Sequence, residues 1–450
     1  MRVALILLLL VAAPLAMVQC GGSSMPGPSS PSSPSPSGTP DATKIRHVII
    51  VIQENRTPDN LFGAAGIPGA DIQTYGYTST GAKVQLQPIS LTAPYDIDHS
   101  HDRAWVRAYD NGAMNGFDLE TTSPKPSATP SIPPNPQYGY VPQSEDEPYY
   151  QMARDYTFAD RMFQTNEGPS LPAHQYLLSG TDAVSAGSDM YDAENPDYAT
   201  NMLDCDGSPN STVELINLAS GVEGGTQSLV CFDHPTLFDS LDAKSVSYTY
   251  YAYTQGGLWN APDAIRHIRF GTDWSHVVIP NTTIFNDISA GRLSSVSWVI
   301  PTTPASDHAG STDGSGPSWV ASVVNAVGNS QYWNSTVIFV LWDDWGGWYD
   351  HVAPQRYNGY ELGFRVPLIV ISPYAKRGYV SHVQHEFGSI LRYTEELFDL
   401  QSLGNTDARA DDLSDCFDYS QAPTKFQPFV AKHNANYFLH LPSSNIPLDY

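Results

Sequence analysis

Two pairs of polar side chains stand where apolar runs stop. Glu54-Asn55 follows His47-Val48-Ile49-Ile50-Val51-Ile52-Gln53, and Asp343-Asp344 follows Ser335-Thr336-Val337-Ile338-Phe339-Val340-Leu341-Trp342. Continuous apolar runs of this length read as strands buried on both faces of a sheet. Groups at the carboxyl ends of such strands stand where open α/β sheets place their ligands. Two adjacent carboxylates are costly to hold together unless a cation or a proton neutralises them. Gly346-Gly347 permits the turn that lets both converge, and His351 follows, so a metal site is the reading. The alternatives are a strand end running into a solvated turn for Glu54-Asn55, and an acidic turn capping a helix for Asp343-Asp344. A third cluster is Thr165-Asn166-Glu167-Gly168-Pro169-Ser170-Leu171-Pro172-Ala173-His174-Gln175. Ser170 lies between two proline-bearing bends, before a helix expected to start near Ala173. Backbone N–H groups at a helix start can hold a phosphoryl oxygen, and a metal can activate the hydroxyl as a nucleophile. Taken alone, Ser170 reads more readily as a helix cap than as a nucleophile.

The elements that must position these groups are strands and helices in alternation. Besides the two runs above, Phe364 to Pro373 reads as a buried strand. Trp319 to Ser330 and Gly388 to Leu400 carry apolar residues at helical spacing. Strand, helix, strand, helix is the signature of βαβ units around a mainly parallel sheet. Residues 120–150 read as irregular surface loop, 181–232 as an insertion near the mouth of the site, and 402–450 as surface wrapping. The chain shows no internal repeat and no linker within 43–450, which reads as a single catalytic domain with insertions.

Composition limits the partners and the compartment. The formal net charge of the 450 residues is -25, which argues against nucleic acid or an anionic membrane as main partner. It leaves open an enzyme acting on phosphate esters, provided a metal reverses the local field. Residues 1–20 have the anatomy of a signal peptide: Met1-Arg2, then an apolar stretch from Val3 to Met17 that is short for a bilayer span. The box Met17-Val18-Gln19-Cys20 resembles a lipoprotein signal, in which Cys20 would carry a lipid anchor. Residues 21–42 are almost wholly Ser, Pro and Gly and read as a disordered tether. The expected location is therefore outside the cytoplasm: periplasmic, at the cell surface as a lipoprotein, or secreted. In that setting Cys205 and Cys231 could form a local disulfide, leaving Cys416 free or buried; pairing of Cys416 with either one stays open.

The segment HVIIVIQENRTPDNLFG, His47 to Gly63, resembles the opening of the bacterial phosphoesterase family that holds phospholipases C and an acid phosphatase. Asp98-His99-Ser100-His101 with Asn111 to Phe117, Gly168-Pro169-Ser170-Leu171-Pro172, Ser306-Asp307-His308, Thr336 to Pro354 and Arg365 to Pro373 resemble its later blocks, in the family's order. The resemblance spans roughly residues 45–400. It implies an α/β fold like alkaline phosphatase: a mostly parallel sheet sandwiched by helices, with loop insertions. It implies hydrolysis of a phosphate ester, phospholipid or phosphomonoester, through a phosphoserine. On this resemblance Ser170 falls on the nucleophile position, and Glu54, Asn55, Ser170, Asp343 and Asp344 fall on the metal-binding positions. Asn55, His101, His308 and His351 line the phosphate site, with His101 or His308 donating to phosphate oxygens or protonating the leaving group. Two departures stand out: Ala173-His174 replaces the Asn-Arg that often follows the second proline, and Glu386-Phe387-Gly388-Ser389 replaces an Asp-His pair before Thr-Ser.

The cofactor this implies is a divalent metal ion. Oxygen donors favour Ca, Mg or Mn, and a histidine in the shell would allow Zn or Fe. A competing expectation is a cell-surface binding protein that keeps the fold without turnover. A sulfatase-like enzyme is the third, disfavoured because the Ser170 block lacks the Arg of the sulfatase motif.

Overall fold

The protein is described from a computed structural model covering residues 40–124, 132–196, 204–205, 207 and 211–441. The expected signal peptide with Cys20 and nearly all of the tether lie outside the described residues. No helix among the described residues is long and apolar enough to cross a membrane.

Eight strands build the central sheet: β1 (His47–Gln53), β2 (Thr157–Ala159), β3 (Tyr248–Tyr251), β4 (Val277–Val278), β5 (Val296–Val299), β6 (Thr336–Trp342), β7 (Leu368–Ile371) and β8 (Tyr379–Ser381). Their spatial order is β4-β3-β5-β1-β6-β7-β2-β8. Every neighbouring pair is parallel except those made by β7. β1 and β6 sit at the centre and are buried on both faces, as their unbroken apolar runs require. Their register sets Gln53 opposite Trp342, so Glu54 and Asp343 leave the sheet side by side.

Helices cover both faces. Trp298 pairs in register with Ile50, whereas Trp342 pairs with Gln53, so the two tryptophans point to opposite sides. Trp342 meets Tyr149 of α2 (Gln143–Asp155), and Trp298 donates to Leu177 O of α3 (Ser170–Ser179). Phe339, on the Trp298 side, packs edge-on against Tyr393 of α5 (Phe387–Phe398), while α4 (Gly316–Gly328) packs against α2 on the other side. The short α1 (Pro58–Phe62) follows the first strand, capped by the Thr57 hydroxyl, which accepts from Asn60 N.

Three sequence expectations change, the first being the helix expected near Ala173, which starts at Ser170. Residues 120–150 are not all loop, because α2 begins at Gln143. Asp146 leaves helical geometry at φ -126°, so Pro148 stands in the first turn after a kink, where its missing N–H costs little. The strand expected over Phe364 to Pro373 shortens to Leu368–Ile371, since Pro367 has no N–H for a ladder and Arg365 turns away into a charge cluster. β7 runs antiparallel because no crossover helix lies in the 343–367 connection. The insertion folds as a three-stranded antiparallel sheet of Met190–Asp192, Thr212–Asn217 and Val222–Leu229. Cys205 and Cys231 form a disulfide, and Cys416 is free and buried.

Candidate active site

The tips of β1 and β6 and the start of α3 meet at one place. Asn55 takes φ +60°, a left-handed turn that asparagine tolerates better than most residues. The turn brings its backbone N–H onto Asp343 Oδ1 at 3.0 Å. Gly346, also at φ +60°, packs onto the same turn; a Cβ there would stand 2.5 Å from Asn55 O. Its N–H donates to Asp344 Oδ1 at 2.7 Å, which aims the other oxygen of Asp344 inward. That oxygen accepts from Ser170 Oγ at 3.0 Å, and Glu54 Oε2 lies 3.4 Å from the same hydroxyl. Glu54, Asn55, Ser170, Asp343 and Asp344, distant in sequence, are therefore gathered into one fully buried cluster.

The donor set fits a cation. Asn55 Oδ1 and Asp343 Oδ2 have no hydrogen-bond donor among the described residues, although both are buried. Three buried carboxylates brought this close together are costly in a dry site without a positive partner. Oxygen atoms that lack donors are what a metal ion would take up.

His174, noted in the sequence only as a departure from the family's pattern and given no role there, belongs to this cluster. It lies one helical turn after Ser170, on the same face of α3, and its Nε2 stands 3.1 Å from Glu54 Oε1 and 3.7 Å from Asp343 Oδ2. The i, i+4 spacing from the nucleophile position was the signal in the sequence. His99 was also missed. Its Nδ1 donates to Ile97 O at 2.7 Å, so its Nε2 carries the lone pair and accepts from Asn55 Nδ2 at 3.0 Å. His308 lies beside it, with ring centroids 6.0 Å apart, and its Nδ1 donates to Ala309 O at 2.7 Å.

His101 and His351 are placed elsewhere. His101 opens a π-helical turn, His101–Trp105, that carries its ring away from Asn55. Both ring nitrogens face carboxylates: Glu223 Oε2 at 2.5 Å from Nδ1 and Glu167 Oε2 at 3.2 Å from Nε2. Burial alone would lower the His101 pKa, but the bonds and charges of Glu167 and Glu223 outweigh it and raise it to about 9. Glu223 belongs to the insertion, whose Asn195 side chain also accepts from Leu171 N, so the insertion does flank the site. His351 is held between Asp59 Oδ2 at 2.7 Å and Asp71 Oδ1 at 3.0 Å, in a cluster with Asp350 and Arg365. The turn at Gly346-Gly347 directs the chain there instead of toward Ser170. Glu386, at the second departure, caps α5 and pairs with Arg409 at 2.9 Å.

The Phosphoesterase family model matches residues 45–401. Phospholipase C B of Mycobacterium tuberculosis is 21% identical over 89% of this chain and 82% of its own length. The non-hemolytic phospholipase C of Pseudomonas aeruginosa is 23% identical over 79% of this chain, and the match spans 54% of that protein. A solved alkaline phosphatase superfamily protein from Vibrio parahaemolyticus is 10% identical, covering 82% of this chain and 72% of that one, with a TM-score of 0.37.

Proposed function

Because the chain belongs to the Phosphoesterase family, we propose that it hydrolyses phosphate esters through Ser170, in the manner of a phospholipase C. The observation that carries this reading is the Ser170 hydroxyl bonded to Asp344, with Glu54 beside it, in a buried site whose Asn55 Oδ1 and Asp343 Oδ2 lack donors. Glu54, Asn55, Ser170, Asp343 and Asp344 would hold a divalent ion. When bound, the ion offsets the negative charge of the acids and of the phosphoryl group.

The residues divide the remaining work. Asp344 Oδ2 orients Ser170 Oγ and takes its proton as the oxygen attacks phosphorus and the ester oxygen leaves. The product of that step is a phosphoserine. His99, fixed by Ile97 O, steadies the Asn55 amide through its Nε2, and His308, fixed by Ala309 O, would in its imidazolium form donate from Nε2 to the phosphoryl oxygens or give that proton to the leaving oxygen. Water then attacks phosphorus, the P–O bond to Ser170 breaks, the phosphoryl product departs (a phosphomonoester from a diester, phosphate from a monoester), and the serine hydroxyl is restored. The buried setting strengthens each of these contacts relative to water.

Export is part of the proposal, supported by the signal-like residues 1–20 and by the Cys205–Cys231 disulfide, which persists in oxidising compartments. Anchoring through a lipid on Cys20 would hold the enzyme at the cell surface. The test is a substrate panel on the purified full chain, phosphatidylcholine against an aryl phosphate monoester, with and without chelator. Diester turnover that stops with chelation and returns with added divalent ion is expected. Turnover of the monoester alone would move the assignment to an acid phosphatase. Absence of turnover on both, with an ion bound, would favour the non-catalytic binding protein.

A further inference from the structure

We infer that His174 is a ligand of the metal ion at this site and that its imidazole tilts the site toward transition ions over Ca or Mg. This rests on the metal reading proposed above and adds a ligand that reading does not contain. Glu54, His174 and Asp343 are all fully buried, and each offers a ligand atom within 4.8 Å of the others. His174 Nε2 stands 3.1 Å from Glu54 Oε1 and 3.7 Å from Asp343 Oδ2. Ligands at about 2.0–2.2 Å from one ion, at tetrahedral or octahedral angles, stand roughly 3.0–3.5 Å apart. The observed separations therefore suit two edges of one coordination shell with little movement. Asp343 Oδ2 supplies independent support: it is buried, it faces His174, and it has no hydrogen-bond donor among the described residues.

The placement is rigid. His174 sits on α3, a ten-residue helix whose every residue is buried, one turn from Ser170. The same helix thus carries the hydroxyl and the imidazole to adjacent sides of Glu54, whose Oε2 faces Ser170 and whose Oε1 faces His174. A set of oxygens alone suits Ca or Mg; one imidazole added to it raises affinity for Zn, Co or Fe far more than for Ca or Mg. The sequence departure at Ala173-His174 is then a change in metal preference.

The experiment compares wild type with His174→Gln, using calorimetric titration of the metal-free full chain with Zn and with Ca, and zinc X-ray absorption of the loaded protein. In the variant, Zn affinity should fall by about 100-fold or more while Ca affinity changes by less than about threefold. Imidazole scattering present in wild type should be lost in the variant. Retention of Zn affinity within about threefold in a folded variant would overturn His174 as a ligand and leave the metal site itself standing. If the variant does not fold, the spectra of wild type and His99→Gln decide: imidazole scattering that survives the loss of His99 supports the ligand, and an all-oxygen shell in either overturns it. Should wild type bind no divalent ion, the metal reading fails first and this inference with it.

Discussion

Two buried acid clusters stand beyond the carboxyl ends of β1 and β6, and they are neutralised in opposite ways. In one, Arg365 grips Asp350 with Nε and Nη2 at 2.8 and 2.9 Å and reaches Asp59 at 3.4 Å. His351 adds a second positive partner, and Asp59 also accepts the backbone N–H groups of Gln73 and His351. Burial and the Asp350 charge push the Asp59 pKa up, against the pull of His351 and Arg365. In the other cluster Glu54, Asp343 and Asp344 meet a serine hydroxyl, an imidazole and an amide, and Asp343 Oδ2 lacks a donor. An acid set complete with its own guanidinium holds loops in place. A set with donorless oxygens keeps the capacity to take up an ion and a phosphoryl group.

Substitutions can break this contrast, and the largest effect belongs to the hydroxyl. Ser170→Ala should lower kcat/KM on phosphate esters by about 10³-fold or more with an unchanged melting temperature. An equal loss from Asp350→Asn in a folded protein would erase the distinction between the clusters.

Stability should respond in the reverse pattern. Arg365→Met leaves two buried carboxylates facing each other and should cost about 3–5 kcal/mol in denaturant unfolding. Asp343→Asn removes one of several crowded charges, so metal-free protein carrying it should unfold within about 1 kcal/mol of wild type or resist longer.

The histidines sharpen the comparison at smaller scale. His99→Ala should reduce turnover by about 100-fold, because its Nε2 faces Asn55 inside the reactive cluster. His351→Gln should cost less than about tenfold in turnover and act mainly on stability.

The smallest effect concerns pH. His101 has its folded pKa raised to about 9, above an ordinary value of 6.5, so its stabilisation is complete below pH 6.5 and is lost as pH rises toward 9. Glu194, pushed up to about 8 by burial and by Glu223, acts in the same direction between pH 4.5 and 8. His101→Gln should therefore flatten the fall of melting temperature between pH 6.5 and 9. An unchanged slope would mean that the Glu167–His101–Glu223 bridge does not hold the insertion.

The central strands were legible because burial on both faces leaves an unbroken apolar run, and the acids at their tips were legible because such runs end abruptly. The choice between His99 and His101 was not, since alternate residues in an extended stretch face opposite ways and a π-turn decides which one enters the site. The kinked α2 was hidden because Pro148 and the preceding acids resemble loop composition, while the buried Tyr149 and Tyr150 that stabilise it pack against distant elements. His174 was written at helical spacing from Ser170, yet its value depends on Glu54, 120 positions away.

Local patterning alone thus determined the two core strands, the acids they deliver and the serine at a helix start, because burial and turn chemistry act over a few residues. Tertiary structure decided which acids are neutralised from within. Arg365 reaches Asp59 across 306 positions, and Ser170 reaches Asp344 across 174. Whether a carboxylate meets a guanidinium or a hydroxyl is a matter of long-range Coulomb energy and desolvation, which only the assembled sheet sets.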